Sequence, residues 1–391
     1  MDEKEQAPLA VVGGRLLTEL VDVTSDLAAL DGRGTWAVVV PFDGAPVCAR
    51  FARSRPAVPW PGRRWSGPPR VAWTSSLGPD RFAAGVRAIR RSIAEGDVYQ
   101  VNLTRRLSAP LPPGADIAAL GAALAEGNPA PYSAVVRLPR HGVEVASASP
   151  ERFLRRDGPM VSSSPIKGTA ATAAALSAKD RAENVMIVDL VRNDLGRVCE
   201  YGSVTVPALW SVEAHPGLVH LVSTVEGRLL PGSGFAAAIE ATFPPGSVTG
   251  APKLAALDHI RRLEPVPRGV YCGAIGWVDA DQRRGDLNVA IRTFWVDGGM
   301  LHLGTGGGVT WDSTPEGEWA ETELKAQTLL AVASAPGPAP APGTSGTAET
   351  AAGEGPGAEG SGAETTAAAT TAAETTRAET TRAATTATTT S

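Results

Sequence analysis

The apolar positions of this chain change period along its length, and the changes divide it into helical and extended segments. Phe82, Val86, Ile89 and Ile93 recur at helical spacing after an Asp80 start signal and stop at Gly96. Leu254, Leu257, Ile260 and Leu263 repeat that spacing after Pro252. Extended runs cover Leu218 to Val225, Val270 to Val278, and Val289 to Val296, the last turning at Asp297-Gly298-Gly299 into Met300 to Leu303. Nearer the start, Trp36-Ala37-Val38-Val39-Val40 is answered by Val47-Cys48-Ala49-Arg50-Phe51 across Asp43-Gly44, a hairpin signal. A mixed, layered α/β domain follows from this alternation. The proline-rich stretch from Arg55 to Pro69 reads as a linker. Three regions are therefore expected: a short β-rich segment with its linker over 1–76, a catalytic body over 77–333, and a tail over 334–391. The tail is rich in Pro, Gly, Ala and then Thr, with almost no large apolar side chain to offset the entropy of ordering, so disorder is expected there.

Bulk composition narrows the function classes. With 391 residues and 43% hydrophobic content the chain can bury a large core. A net charge of -5 gives no basic footprint for nucleic acid. The start Met1-Asp2-Glu3-Lys4-Glu5 is acidic where a secretory signal needs a basic beginning, and no apolar run is long enough to span a bilayer. A cytoplasmic protein without a membrane partner is the expectation. Cys48, Cys199 and Cys272 are too few and scattered for a disulfide framework or a structural zinc site, so reduced, packed thiols are expected.

The candidate chemistry starts at Ser164-Pro165-Ile166-Lys167-Gly168-Thr169, which presents Lys167 between a stiff approach and a Gly-Thr turn. An amine attacks only when neutral, and a free lysine, with a pKa of about 10.4, is almost wholly protonated at pH 7. Lys167 is thus either a solvated loop lysine or a nucleophile in a site built for it. Asp180 and Glu183 lie three apart on one predicted helix, while Glu318, Glu321 and Lys325 lie at i, i+3 and i+7 on another. These carboxylates are either solvated helix faces or two pairs that converge, in which case a hard divalent ion such as Mg²⁺ would relieve their repulsion. Gly304-Thr305-Gly306-Gly307-Gly308 fails the dinucleotide pattern at Val309, and the Gly246 to Lys253 segment fails the phosphate-loop pattern because Ala251-Pro252 separates Gly250 from Lys253. They are tight turns or backbone cradles for a carboxylate. His220, inside Leu218-Val219-His220-Leu221-Val222, reads first as a satisfied core histidine, and Glu151 as the salt partner of Arg152.

Taken in order, a set of segments resembles the chorismate-utilising enzymes, the family of anthranilate synthase component I, aminodeoxychorismate synthase component I and the isochorismate and salicylate synthases. The segments run from about Asp80 to Leu330. They are Gly96-Asp97-Val98-Tyr99-Gln100-Val101-Asn102-Leu103, Ser147-Ala148-Ser149-Pro150-Glu151-Arg152-Phe153, the Lys167 hexapeptide, and Asp180-Arg181-Ala182-Glu183-Asn184 running into Ile187 to Asp194. Beyond them come His220-Leu221-Val222-Ser223, Gly246 to Lys253, Ile291-Arg292, Gly306-Gly307-Gly308 and the stretch from Asp312 to Lys325. The resemblance implies a layered α/β/β/α sandwich, two facing antiparallel sheets with helices outside and the active site in the cleft between them. It implies Mg²⁺ on Glu183 and Glu321, with Asp180 and Glu318 at outer positions. It also implies substrate carboxylates held by Thr249, Gly250, Tyr271, Arg292, Gly306, Gly307 and Lys325. His220 would face the substrate ring near the departing C4 hydroxyl, and Glu151 would protonate that hydroxyl as it leaves.

Two positions separate the branches of the family. The isochorismate-forming branch carries a lysine base where this chain has Gln100, which cannot act as one. Anthranilate synthases carry a small alanine where this chain has Lys167, whereas aminodeoxychorismate synthases carry the lysine. The resemblance thus implies a 4-amino product, with chorismate and ammonia as substrates and Lys167 adding at C2. Because no cysteine sits in the nucleophile context of a glutamine amidotransferase, a partner glutaminase subunit or free ammonia is expected as nitrogen source. Anthranilate synthase activity and non-catalytic chorismate binding are the alternatives. The lysine segment departs from the family by continuing Ala170-Ala171-Thr172-Ala173 where Arg-Pro-Arg is common.

Overall fold

The structure, a computed structural model, describes residues 7–334 apart from 61–63 and 216–217. The acidic start at Met1 and the tail from residue 335 on lie outside the described residues.

Every described strand pairing is antiparallel, and the pairings form one continuous ladder. At one end β5 (Thr74–Ser75) and β14 (Gly250–Ala251) share an edge of β6 (Gln100–Pro110). The other edge of β6 takes β18 (Met300–Val309), followed by β17 (Thr293–Asp297), β8 (Val143–Ser149), β7 (Tyr132–Leu138) and β1 (Leu9–Val12). A turn at Gly13-Gly14 leads β1 into β2 (Arg15–Thr24). From β2 the ladder runs through β4 (Val47–Pro56), β3 (Thr35–Val40), β15 (Ala274–Asp279), β16 (Arg284–Val289) and β9 (Arg152–Asp157). It ends in β10 (Met160–Ser164) and β11 (Ile166–Ala170), both along one edge of β13 (Leu218–Arg228), with β12 (Thr205–His215) on the other.

The ladder folds into two leaves that face each other, with helices outside, which is the layered arrangement expected. Alternation along each strand makes this possible, because neighbouring side chains point to opposite faces. In β8, Val145 joins the inner core with Val38, Leu154 and Ile275 of the other leaf, while Ala146 faces the helical layer. That layer is α2 (Ile117–Gly127) and α6 (Pro315–Ala333), whose Leu120, Leu124, Leu329 and Leu330 pack on Phe294, Leu301 and Leu303. α1 (Pro79–Glu95) and α5 (Lys253–Leu263) cover the β6 end through Phe82, Ile89 and Ile260. α3 (Ala178–Gly196) and α4 (Phe235–Thr242) cover the second leaf through Ile187, Leu195, Phe235 and Ile239. Each fully buried side chain of this size contributes about 1.5–3 kcal/mol, so these interfaces fix where the site residues sit.

The expected hairpin forms, with Thr35 opposite Phe51 and Val39 opposite Val47. α1 stops as predicted at Gly96, whose φ of 84° closes the helix, although it starts at Pro79 with Asp80 in its first turn. Three expectations are corrected. The run from Val270 forms a strand only from Ala274, because Cys272 adopts φ 66° and Val270–Gly273 turn on themselves. The run from Val289 to Val296 is broken after Val289 and resumes at Thr293, with Arg292 at φ 50° in the break. The Arg55–Pro69 linker is in part structural: β4 continues to Pro56, and buried Trp65 donates its indole N–H to the Ala333 carbonyl at 2.9 Å. The strands before residue 60 are woven into the ladder through β1 on β7 and β3 on β15.

Candidate active site

Lys167 stands on β11, a short strand held on β13 by pairs such as Ile166 with Val222 and Thr169 with His220. Gly168 adopts φ 86° and lies so close to Asp180 that a Cβ there would sit 2.8 Å from the aspartate's own Cβ. The strand is thereby pressed onto the start of α3. The Lys167 amine, only 14% exposed, lies 3.7 Å from Glu183 Oε2. A Cβ built on Gly308 of β18 would be 3.2 Å from that amine and 2.8 Å from Nε2 of Gln100. Lys167 and Gln100 thus converge from β11 and β6 on one glycine, with Glu183 of α3 beside the amine. Gln100 is fully buried, and neither atom of its amide has a hydrogen-bond partner among the described residues. A buried amide left unpaired costs roughly 1–3 kcal/mol, a cost that functional sites accept where a ligand completes the pairing.

Glu151 occupies the turn between β8 and β9 and is buried. Its backbone N–H reaches Ser149 Oγ at 3.2 Å and its carbonyl accepts from Val289 N at 3.0 Å, so the turn is fixed from both sides. Burial pushes its carboxyl up to about 7, against the opposing pull of a hydrogen bond from Ser247 and the charges of Lys167 and Lys325. Glu151 is not the partner of Arg152, which pairs with Asp286 at 3.0 Å. His220, on β13, places Nδ1 2.8 Å from Thr169 Oγ1. It is a buried, hydrogen-bonded histidine, and it lies across the ladder from the strand that carries Lys167.

The four carboxylates do not gather as one cluster. Glu183 lies between two ammonium groups, 3.7 Å from Lys167 and 3.7 Å from Lys179. Glu321 is paired with Lys325 at 2.6 Å, and Lys325 also donates to the Gly306 carbonyl at 2.9 Å. Asp180 turns back on its own helix: Oδ2 accepts from Ser177 N at 2.8 Å and Ser177 Oγ at 2.7 Å, the reciprocal half of a capping box. Oδ2 is thus engaged in capping α3. Among the described residues no three His, Cys, Asp or Glu side chains lie close enough to hold a metal ion. Lysines neutralise Glu183 and Glu321. Glu318 differs, being buried, with Oε1 accepting from Ser313 Oγ at 2.6 Å and Oε2 without a partner among the described residues. Burial raises its pKa, Glu321 adds to the rise, and Lys325 and Lys179 oppose it, so α6 and the start of α3 share one field. A Cβ on Gly307 would sit 2.8 Å from Glu318 Oε2 and 3.5 Å from Glu321 Oε1. Carboxylate oxygens of this kind, one of them buried and unpaired, fit a hard divalent cation.

The expected carboxylate cradle is partly redrawn. Arg292, half-buried in the strand break, makes no side-chain hydrogen bond or ion pair among the described residues, and burial lowers its pKa. A guanidinium in that state is suited to a bidentate anion. Tyr271 is buried with its ring against Gly304, and burial raises its hydroxyl well above the ordinary range. Gly250 is hydrogen-bonded into β14 opposite Val101. The Thr249 hydroxyl donates to Pro245 O at 3.1 Å and Gly246 O at 3.3 Å, and its backbone N–H also donates to Gly246 O. Its donors are spent inside its own loop.

A family model described as chorismate binding enzyme matches residues 61–331. The chain belongs to the chorismate-binding enzymes. It is 46% identical over 265 residues to an aminodeoxychorismate synthase of Streptomyces pristinaespiralis, covering 64% of this chain and 36% of the relative. It is 40% identical over 271 residues to aminodeoxychorismate synthase component 1 of Salmonella typhimurium, covering 66% of this chain and 59% of the relative. Among solved structures, anthranilate synthase component I from Streptococcus pneumoniae matches with a TM-score of 0.67 and 26% identity, over 83% of this chain and 89% of that one. The chain therefore spans 36% and 59% of the two curated relatives.

Within this chorismate-binding enzyme, sequence reasoning missed two groups. Ser247, which lines one small cavity with Glu151 and holds its carboxyl down against burial, had no role read from the Gly246 to Lys253 segment. Lys253 ends the same segment as Ser247 and Asp194 ends another, and the structure joins them: Lys253 Nζ lies 2.6 Å from Asp194 Oδ2 and 3.0 Å from the Thr242 carbonyl, bridging α5, α3 and α4. Burial pushes each towards its neutral form while the pairing opposes it. Lys253→Met would leave Asp194 buried without a cation, and such losses cost about 3–5 kcal/mol. A urea unfolding midpoint lowered in proportion is the expected result, measured against the wild type under identical conditions.

Proposed function

We propose that this chain is the chorismate-converting component of an aminodeoxychorismate synthase, turning chorismate and ammonia into 4-amino-4-deoxychorismate. The observation that supports this reading most is the placement of Lys167, an amine turned away from bulk water into the meeting point of Gln100, Glu183 and Gly308. The similarity to named aminodeoxychorismate synthases supports it too. In the proposed reaction the Lys167 nitrogen bonds to C2 of the ring as the C4 hydroxyl leaves as water, taking its proton from Glu151. The ring double bonds shift accordingly. Ammonia then bonds at C4, and the C2–nitrogen bond breaks with its electron pair returning to Lys167. The enolpyruvyl ether is untouched, so 4-aminobenzoate would need a separate lyase.

Arg292 is assigned a substrate carboxylate, with Tyr271 and the Gly306-Gly307 backbone around it. Glu318 and Glu321, whose carboxylate oxygens both lie against Gly307, are the residues that would hold Mg²⁺, with water completing its shell and Glu183 reaching it only by leaving Lys167 and Lys179; the ion would supply charge neutralisation for a carboxylate substrate. Gln100 presents no base, which disfavours water addition at C2. A glutamine amidotransferase partner is proposed from the chain's likeness to a protein named component 1. One assay tests the reading: chorismate, Mg²⁺ and ammonium are supplied, and products are identified with and without an added lyase. A 4-amino product requiring the lyase for release of 4-aminobenzoate is expected. Fluorescent anthranilate without a lyase would instead make the chain an anthranilate synthase, and binding without turnover would make it a chorismate-binding protein only.

A further inference from the structure

Behind the wall of the site lies a buried arginine to which nothing above gives a role. Arg268 is 3% exposed, and its guanidinium makes four hydrogen bonds. Nε and Nη2 form a fork on Glu264, at 2.9 Å to Oε2 and 2.7 Å to Oε1. Nη1 donates to the Val248 carbonyl at 2.7 Å, and Nη2 to the Asn102 carbonyl at 2.8 Å. Glu264 in turn accepts from Thr104 N at 2.9 Å. The two carbonyls belong to different walls of the site. Val248 follows Ser247, which lines one small cavity with Glu151, and Asn102 lies two residues from Gln100 and opposite Gly308. The backbone of Arg268 is itself anchored, its N–H donating to Asp43 Oδ2 at 2.7 Å, with Phe42 N on the Gly269 carbonyl at 2.7 Å. Three residues on stands Tyr271.

We infer that Arg268 is a positioning residue that sets the spacing between the Ser247 loop and β6, and through it the placement of Ser247 beside Glu151, the two lining one small cavity. Geometry explains the choice of residue. A planar guanidinium can grip a carboxylate on one side and two carbonyls on the other, whereas a lysine ammonium is a point donor that cannot hold all four acceptors at once. A small displacement of a positioned group costs up to about 100-fold in rate, so the loss would register in catalysis before it registered in folding. The effect on Glu151 also has a sign. The Ser247 hydrogen bond favours the charged carboxylate, so weakening it moves the Glu151 titration to higher pH.

The inference rests on the proposed reaction only in taking Glu151 as its acid. The test uses Arg268→Lys and, as a second variant that keeps the arginine, Glu264→Gln. For each, kcat/KM for chorismate is followed against pH at fixed neutral ammonia, beside chorismate affinity by calorimetry and the thermal midpoint. Arg268→Lys is expected to lower kcat/KM about 10- to 100-fold, with the alkaline limb moved to higher pH. Glu264→Gln should move both in the same direction by less. If Arg268→Lys does not fold, Glu264→Gln carries the test alone. A folded variant with kcat/KM within about twofold of wild type, or a loss matched by the fraction unfolded with an unmoved pH limb, overturns the inference. A wild-type protein that makes some other product leaves the variant-to-wild-type ratios readable, so failure of the reaction assignment is seen separately. A wild-type protein with no turnover shifts the test to affinity: a loss of about tenfold or more upholds a positioning role for the wall, and unchanged affinity overturns it.

Discussion

Lys167→Ala is expected to abolish formation of the 4-amino product, by on the order of 10³-fold or more, while chorismate affinity changes by less than about threefold. The split follows from the geometry. The amine is the only proposed nucleophile at its face of the site, 3.7 Å from Glu183 and beside Gly308, so nothing else replaces the bond it would form to C2. The carboxylate contacts assigned to Arg292, in the break before β17, and to the glycine backbone of β18 lie away from β11 and survive the change. Removing the side chain also opens C2 to ammonia, so any residual amination should appear at C2 and be visible as anthranilate-type fluorescence. The measurement is product identification by mass and fluorescence, with calorimetry for binding. Unaltered yield of the 4-amino product would remove Lys167 from the mechanism altogether.

Glu151→Gln should cost about 10²- to 10⁴-fold in kcat, the usual worth of a positioned proton donor. It should also erase a limb of the pH profile. The wild-type carboxyl, raised to about 7 by burial, is protonated below that value and charged above it. A group that must give a proton works in the first state, so kcat/KM is expected to hold at lower pH and fall as pH rises through about 7. The variant, with nothing to titrate there, should show a flat, low profile over the same range. Stability carries the same sign: an unfolded glutamate titrates near 4.3, so the buried group favours the native state at low pH and loses that contribution as pH climbs through about 7. The profile must be recorded with neutral ammonia held constant, since ammonium titrates as well. A limb that persists in Glu151→Gln would assign the proton to another group, with His220 the next to examine.

Much of this was legible in the sequence where local signals and tertiary packing agree. The Trp36–Val40 hairpin and the Gly96 stop of α1 are set by turn and capping chemistry that acts over a few residues. The i, i+3, i+7 spacing on α6 placed Glu318, Glu321 and Lys325 on one face, as found. What failed was the continuity of two apolar runs. Val289 to Val296 reads as one strand, but Arg292 sits at positive φ, a conformation rare outside glycine that no composition announces. The same holds for Cys272. The second part played by Asp180 went unread for a related reason: an acidic residue three places after a serine can close a capping box, and the spacing of the acidic pair alone does not reveal it. The Glu264–Arg268 pair is an ordinary i, i+4 spacing, but its reach to both walls was invisible because the other two acceptors of Arg268 are backbone carbonyls, which no side-chain pattern records.

The pairing of β3 with β15 ties residues 35–40 to residues 274–279. During synthesis the first of these segments leaves the ribosome long before the second exists, so one edge of the early hairpin must stay open while more than half the polypeptide is still being made. Open strand edges recruit other chains, and late, non-local pairing is slow. The arrangement that seats the cleft so firmly in the finished enzyme therefore makes the nascent one dependent on prompt completion, or on a chaperone to shield that edge until its partner arrives.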